Sequence, residues 1–330
     1  MKTLLRKDVE TNDIDIKKKR RRVVLGILLF ILLLIMLFIF DFFRKANSAL
    51  VEMYEPLGDT VVDLREEELS EQSQDENPEE HDSPKKMNLG EDPFSLLILG
   101  LDGPRSDAMM LATVNPNTGS TYLLSIARDT MVTISGHGST TRINHAFAYG
   151  GIDMAINTVQ DFLNVPIDYY VTLDMYEFPS LVDAFGGVSV YNDTVAFSMG
   201  GYHFPLGDID LTGSSAYYYA RMRMDDPRGD FGRQERQRDI IGAMVNELAG
   251  VTVVTRYHQI FDAVGAHMRM NITLSDIITI FTGYNRALRN ITNLDLHAPG
   301  RIIGGMYLIP IPETQRLEVS TKLRTHLELE

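Results

Sequence analysis

Residues 94–102, FSLLILGLD, form an almost continuous apolar run that ends in Gly-Leu-Asp. A run of this length without polar alternation is typical of a strand that is buried on both faces of a sheet. The run therefore predicts a central strand that carries Asp102 to the edge of the sheet. Arg105, Ser106 and Asp107 follow within five residues.

Strands and helices alternate along the chain beyond this run. The segments Met109–Val114 and Ser120–Ile126 are predicted to pair across an Asn-Pro-Asn-Thr-Gly turn. This alternation, with mostly apolar strands, predicts an α/β fold in which a layered sheet is covered by helices on both faces. Further strands are predicted at Tyr169–Leu173, Val188–Tyr191 and Met306–Pro310, and helices at Ile152–Leu163, Tyr176–Phe185, Leu274–Leu288 and Glu313–Leu327, with one more after Gly232.

The densest charge lies in Tyr219–Arg238, YARMRMDDPRGDFGRQERQR, which contains six arginines and no lysine. Guanidinium offers a planar fork that binds phosphate oxygens in pairs, and it stays charged at any working pH. Arg221 and Arg223 are two residues apart, so in extended backbone they leave the same face. Asp-Pro-Arg-Gly then predicts a turn before the next helix.

The helix after Gly232 is predicted to carry Arg233 and Gln237 on its apolar, inward face, whereas Arg236 is predicted to point elsewhere. An unpaired buried charge costs several kcal/mol, so an inward Arg233 requires an anion. Two interpretations follow. One is a structural network with the nearby acids, and the other is a site for a polyanion; the acids concerned are Asp225, Asp226 and Asp230.

Asp102 and Asp107 are predicted to share one short loop after the buried strand. Two carboxylates held together form a hard-oxygen site that suits Mg²⁺, or Mn²⁺ in its place, beside a phosphate. Solvated or capping acids are the alternative. Arg105 lies between the two acids, and Arg128 ends the next strand. Because strand ends in α/β sheets converge on a ligand crevice, these arginines favour a metal pyrophosphate site.

Composition and missing motifs exclude several classes of function. The chain has no cysteine, which excludes disulfides and thiol catalysis. It also lacks GxSxG, P-loop and HExxH motifs, so no motif indicates a serine hydrolase, a P-loop kinase or a zincin. The net charge of −14 argues against nucleic acid as the main partner. His145, between aromatic residues, is predicted to be a packed structural residue.

The N-terminal part of the chain predicts a membrane anchor. Residues 1–22 form a basic tail, and 23–40 are eighteen uncharged residues, about 27 Å as a helix. A cleaved signal peptide is the alternative. The basic cluster before the span orients the N-terminus inside, which places the rest of the chain outside a cytoplasmic membrane crossed once. An acidic linker is predicted at 41–92 and the external domain at 93–330.

Several segments resemble the LytR-CpsA-Psr family of Gram-positive cell-envelope proteins, in order from Phe94 to Leu327. They are LLILGLD, RSDAMML, LLSIARDT, RINHAFAYGG, PIDYYVTLD, LVDAFGGVSV and ARMRMDDPRGDFGRQERQR. The resemblance implies an α/β/α sandwich around a mixed sheet, with a hydrophobic lipid tunnel. It also implies transfer of a glycopolymer, such as wall teichoic acid or capsular polysaccharide, from an undecaprenyl-pyrophosphate carrier to a muramic acid hydroxyl of peptidoglycan through a phosphodiester.

The resemblance also assigns roles to residues. Asp102 and Asp107 match the acids that coordinate Mg²⁺, and Asp230 matches the proposed base for the acceptor hydroxyl, so that Asp230 and Arg233 are the expected catalytic pair. The residues that match the pyrophosphate-binding set are Arg105, Arg128, Arg221, Arg223, Arg233 and Gln237. The helices that begin near Ile152 and Leu274 are candidates for the tunnel wall.

Two other functions stay open at this point. A polyprenyl-pyrophosphate hydrolase would use water in place of a sugar hydroxyl at the same site. A noncatalytic envelope regulator or adaptor would bind anionic lipid or polymer without turnover.

Overall fold

The computed structural model describes residues 30–65, 87–248 and 251–329. These residues fall into two compact units, with the boundary between Ser48 and Ala49. In the first unit every side chain from 30 to 40 is exposed. Within the described ranges no helix combines the length and hydropathy that a bilayer span requires. The predicted tail, 1–22, and the first seven residues of the predicted span lie outside the described residues, so the anchor stays a prediction.

The second unit contains fourteen strands in its described part. In chain order they are β1 (Phe94–Asp102), β2 (Arg105–Asn115), β3 (Ser120–Ser125), β4 (Met131–Thr133), β5 (Thr140–Arg142), β6 (Tyr169–Asp174), β7 (Val188–Asn192), β8 (Phe197–Met199), β9 (Tyr202–Phe204), β10 (Gly207–Leu211), β11 (Met268–Met270), β12 (Ile291–Leu294), β13 (Arg301–Ile303) and β14 (Met306–Leu308).

The helices are named in the same way. They are α1 (30–53), α2 (His145–Leu163), α3 (Phe178–Phe185), α4 (Gly213–Arg221), α5 (Asp230–Leu248), α6 (Val251–His267), α7 (Leu274–Gly283), α8 (Asn285–Arg289) and α9 (Glu313–His326). The strand predictions at 94–102 and 169–173 and the closing helix are confirmed within one or two residues. The predicted helix 274–288 is two helices that meet at Tyr284, and α6 was not predicted.

A six-stranded sheet of order β11-β6-β1-β2-β3-β12 forms the centre of the domain. β1 lies parallel to β6 and antiparallel to β2, so the sheet is mixed. Every residue of β2 from Ala108 to Asn115 is buried. The prediction of an α/β fold with a mixed, mostly buried sheet is therefore confirmed.

Helices cover both faces of this sheet. Successive strand side chains point to opposite sides, so each face presents apolar side chains to its own layer of helices. On one face Leu97 and Leu111 pack in a cluster with Ile156 of α2 and Leu323 of α9. The cluster on the other face joins Phe94 and Val114 to Tyr284 and to Met53. The layering matches the predicted sandwich.

A second, smaller core lies around the β7–β10 pair. Val188 and Leu211 pack there with Val182 of α3, Ala216 of α4 and Ile240 of α5. These three helices hold the arginine-rich stretch, since Arg221 ends α4 and Asp230 begins α5. The second core therefore fixes the position of most of the predicted site residues.

Residues 54–65 follow the surface of the sandwich and are bonded to it. Thr60 Oγ1 donates to Asp153 Oδ2 at 2.9 Å, on α2. Farther along, Arg65 Nε lies 2.6 Å from Asp168 Oδ1 in a largely buried ion pair. The segment is therefore part of the folded domain.

The predicted linker, 41–92, differs from the structure in this part. Residues 49–65 belong to the second compact unit, and 66–86 lie outside the described residues. The acidic composition suggested a chain with little to bury. The composition could not reveal that polar side chains of α2 bond this segment, as when Asn157 Nδ2 donates to the Thr60 carbonyl at 2.8 Å.

We expect Arg65→Ala to lower the free energy of unfolding by about 2 kcal/mol, because Asp168 would keep its burial but lose its charged partner. Urea denaturation measures this change. Lys322→Ala removes a cation from an exposed pair with Glu318 and should change stability by less than about 0.5 kcal/mol. Equal effects of the two variants would show that residues 54–65 do not contribute to the domain.

Candidate functional site

The end of β1, the start of β2 and the end of β3 lie side by side, because β2 runs antiparallel to both neighbours. We call this row of strand termini the sheet edge. Asp102 ends β1, Asp107 is the third residue of β2, and Arg128 follows β3 by three residues. Arg128 Nη1 donates to Asp107 Oδ2 at 2.6 Å. The convergence predicted from the strand ends is therefore present.

The loop that was predicted to carry both aspartates is shorter than expected. Asp102 pairs with Arg105 in the β1–β2 hairpin, and only Gly103 and Pro104 lie between the strands. Gly103 has φ of +60°, which glycine adopts without the steric cost that a side chain brings. Asp107 therefore lies within β2 instead of in the loop. The apolar pattern of β2 begins only after Asp107, which is why the strand start was placed too late.

Arg221 approaches Asp102 from the end of α4. Its Nη1 lies 3.3 Å from Asp102 Oδ2, and its guanidinium covers the ring of Tyr217 at 5.1 Å. Thr212 and Ser215 form a capping box at the start of this helix. The helix thus presents Arg221 to the sheet edge. Arg223 is exposed two residues later. Because Arg221 is helical, the two side chains do not share one extended strand as predicted.

Arg233 lies in the first turn of α5 and is only 8% exposed. Its Nη2 is 2.8 Å from Asp230 Oδ1, while its buried Nε has no hydrogen-bond partner in the described part of the chain. Burial lowers the pKa of this guanidinium; Arg128 and Arg223 lower it further, and Asp230 and Asp107 oppose them. Arg233 is therefore a buried cation whose charge interacts with charges at the sheet edge and in the loop after α4.

Asp230 is held by two side chains of its own helix. Besides the contact with Arg233, its Oδ2 accepts a hydrogen bond from Gln234 Nε2 at 3.0 Å. Gln237 is buried, and its Nε2 donates to the Ala220 carbonyl at 3.5 Å. Gln237 thus joins α5 to α4. The contribution of Gln234 was not predicted, although its spacing of four residues from Asp230 could have indicated it.

Two further arginines of the stretch form a structural network with Asp226. Arg236 is only 2% exposed. Its Nη1 donates to Asp226 Oδ2 at 2.6 Å, and its Nη2 donates to the Met222 carbonyl at 2.5 Å. Arg228 pairs with Asp226 and Glu235. A Cβ at Gly232 would lie 1.8 Å from Asp226 Oδ2, so glycine allows the acid to approach the helix.

The prediction that Arg236 points away from the core is wrong. The buried arc of α5 is centred on Ile240, one residue before the Ile241 that the apolar pattern suggested, and this rotation brings Arg236 inward. Its anion comes from the turn before the helix, which helical periodicity does not reveal. The structural-network interpretation is confirmed for Arg228 and Arg236, and the polyanion interpretation stays a prediction for the other arginines of the stretch.

Residues between β3 and α2 complete the sheet edge. Asn144 Nδ2 lies 3.5 Å from Asp107 Oδ1, and Arg142 Nε lies 3.1 Å from Asp129 Oδ1. Neither residue was among the predicted site residues. His145 Nδ1 is 3.0 Å from Thr141 Oγ1. Burial first, and then the positive charges of Arg105 and Arg142, lower the pKa of His145. This histidine is therefore neutral at physiological pH.

Asp102 and Asp107 form the only predicted metal pair, and each carboxylate also contacts an arginine. The described residues contain no group of three or more His, Asp or Glu arranged to hold a metal ion. Two carboxylates nevertheless fit Mg²⁺, which keeps several waters and takes its other ligands from substrate phosphates. The donor chemistry is thus suited to Mg²⁺ only together with a phosphate ligand.

Comparison with known proteins places this arrangement in a family. The model of the LytR_cpsA_psr family matches residues 60–325. A relative from Halalkalibacterium halodurans, a polyisoprenyl-teichoic acid–peptidoglycan teichoic acid transferase TagU, is 44% identical over 246 residues, which are 72% of this chain and 81% of the relative.

Two solved structures agree with this match. The crystal structure of Bacillus subtilis TagU has a TM-score of 0.61 and 38% identity, and the match covers 73% of this chain and 99% of that one. The structure of TagT bound to LIIa-WTA has a TM-score of 0.64 and 29% identity, over 75% of this chain and 95% of the other. The family match spans most of the chain and includes both the sheet edge and the arginine-rich stretch: this protein belongs to the LytR-CpsA-Psr family.

Proposed function

We propose that this protein transfers an anionic glycopolymer from an undecaprenyl-pyrophosphate carrier to peptidoglycan through a phosphodiester. The observation that carries the proposal is the charge of the site, where three arginine–aspartate contacts lie near two further, exposed arginines. The arginines are Arg105, Arg128, Arg221, Arg223 and Arg233, and the aspartates are Asp102, Asp107 and Asp230. A surplus of two positive charges suits a pyrophosphate.

Wall teichoic acid is the glycopolymer that we propose, because the TagU relative is named as a teichoic acid transferase and TagT is named in complex with LIIa-WTA. Capsular polysaccharide would present the same linkage chemistry. The uncharged stretch 23–40 supports an anchor in the cytoplasmic membrane, with the domain outside it, where both the lipid carrier and the cell wall are found.

Transfer requires charge neutralisation more than covalent catalysis. The acceptor hydroxyl oxygen attacks the phosphorus that carries the glycan, and the bond to the lipid phosphate breaks, releasing undecaprenyl phosphate. Arg221, Arg223 and Arg233 stabilise the negative charge that grows on the departing phosphate. The burial of Arg233 strengthens its interaction with the charge on the departing phosphate, because the local dielectric is low. Asp230 takes the proton of the hydroxyl, and its contact with Gln234 orients the carboxylate.

Asp102 and Asp107 would hold Mg²⁺ when the pyrophosphate is present. The ion, when bound, neutralises phosphate charge and orients the two phosphates. The contact of each carboxylate with an arginine directs both acids to the same edge of the sheet.

Arg233→Ala should reduce the transfer rate by about a thousandfold, because it removes a buried donor to the developing charge. Arg233→Lys should restore only part of the rate, because ammonium lacks the planar fork. Mass spectrometry of the peptidoglycan product gives the rates. Arg289→Ala, an exposed arginine of α8, is the control and should keep the wild-type rate. If the folded Arg233→Ala variant transfers at the wild-type rate, the pyrophosphate is not bound at this position.

Asp230→Asn should bind the pyrophosphate carrier with nearly unchanged affinity but lose about a hundredfold or more in turnover, because the amide does not accept the hydroxyl proton. Carrier binding and transfer are measured on the same preparation. The adaptor alternative expects no turnover even in the wild-type chain, whereas the hydrolase alternative expects free glycan phosphate in place of the conjugate.

Chelation of divalent cations should abolish transfer, and Mg²⁺ should restore it. Asp102→Asn and Asp107→Asn, made separately, should raise the Mg²⁺ concentration that gives half-maximal rate, because each substitution weakens one ligand. A titration of the rate with Mg²⁺ measures this shift. Full activity in a chelator would refute the proposed metal.

A further inference from the structure

A cavity of about 160 Å³ lies beside α5, on the side away from Arg233. Its wall combines aromatic, aliphatic and charged side chains from the start of α5 and from the ends of β3 and β12. The ring of Phe231 is 36% exposed and meets the ring of His297 with centroids 4.6 Å apart. The lining residues that the argument uses are Phe231, Gln234, Glu235, Arg238, Asp295 and His297.

The charges of this cavity are balanced, unlike those of the pyrophosphate site. Arg228 pairs with Glu235, and Arg238 lies in the field of Glu235 and Asp295. Two arginines against two carboxylates leave no net attraction for a polyanion. The wall instead alternates donors with acceptors beside an aromatic face, an arrangement suited to a ligand that carries many hydroxyl groups and has an apolar face.

One donor in the wall lacks a partner. Arg238 Nη1 donates to Ser125 Oγ at 2.6 Å, but the buried Nε has no hydrogen-bond partner in the part of the chain that the structure describes. Leaving a buried donor unpaired is costly, so such a group normally finds water or a ligand. The Arg238 side chain, which lines the cavity, thus has hydrogen-bonding capacity that the described residues leave unused.

The cavity adjoins the proposed base. Gln234 lines the cavity and also donates to Asp230 Oδ2 at 3.0 Å. Phe231 is the next residue after Asp230. A ligand that packs on Phe231 is therefore separated from the Asp230 carboxylate by the Gln234 side chain.

We propose that this cavity binds a saccharide unit of the acceptor glycan and directs its hydroxyl to Asp230. The aromatic pair Phe231 and His297 supports one face of the sugar ring, and the Arg238 guanidinium donates to one of its oxygens. This assignment rests on the proposed transfer function. Donor and acceptor then meet at Asp230 in the first turn of α5, whose carboxylate contacts Arg233 on the donor side and Gln234 on the cavity side.

Calorimetric titration of the full chain in detergent with an N-acetylglucosaminyl-N-acetylmuramic acid disaccharide tests the proposal. We expect saturable binding that weakens about tenfold in Phe231→Ala and is kept in Phe231→Tyr, which retains the ring. Tyr191→Ala removes an exposed aromatic of β7 and should bind like the wild type. Inorganic phosphate at constant ionic strength should not displace the disaccharide.

Kinetics separates this proposal from the function on which it rests. In the transfer assay Phe231→Ala should raise KM for the acceptor about tenfold and leave KM for the carrier unchanged. If the wild-type chain performs no transfer, the function fails, while disaccharide binding that depends on Phe231 still supports the cavity. Absence of disaccharide binding, equal affinity in Phe231→Ala and wild type, or displacement by phosphate would each overturn the assignment of the cavity.

Discussion

The buried ion pair between Arg236 and Asp226 is the interaction on which the site depends. Their side chains are 3% and 0% exposed, and breaking such a pair leaves an uncompensated charge at a cost of about 3 to 5 kcal/mol. Arg236 also donates to the backbone carbonyls of Tyr219 and Met222. The pair therefore ties the turn after α4 to the first turns of α5, and it sets the distance between Arg221 at one end and Arg233 at the other.

The arginines of the stretch divide according to what surrounds them. Arg228 and Arg236 have their anions within the protein and hold the turn in place. Among the described residues, Arg221 and Arg233 each contact one carboxylate, Arg221 is partly exposed, the Nε of Arg233 has no partner, and Arg223 is exposed. A surplus of guanidinium over carboxylate is costly to assemble without an anionic ligand, since like charges repel at short range. Structural pairing thus supplies the rigidity, and the surplus of guanidinium is the basis of the pyrophosphate site that we propose.

Much of this was accessible from the sequence. The apolar run at 94–102 predicted the central strand, and the arginine stretch with its turn indicated the region where we propose the site. Three features were not accessible from the sequence, because each depends on a partner from another element. Asp107 within β2 meets Arg128, the inward Arg236 meets Asp226, and segment 54–65 is bonded to α2. Local patterns report which face of an element is apolar. They do not report which polar group from another element will meet it, and the cavity beside Phe231 arises in the same way.

The central claim is that the arginine-rich site transfers phosphate with its glycan attached. It is tested most directly by ³¹P NMR of the products that the full chain forms from an undecaprenyl-pyrophosphate glycan, peptidoglycan oligomers and Mg²⁺. The account predicts one phosphodiester signal on the peptidoglycan for each undecaprenyl monophosphate released. Undecaprenyl monophosphate accompanied only by free glycan phosphate would show hydrolysis, and an unchanged pyrophosphate signal would show binding without turnover; either result contradicts the account.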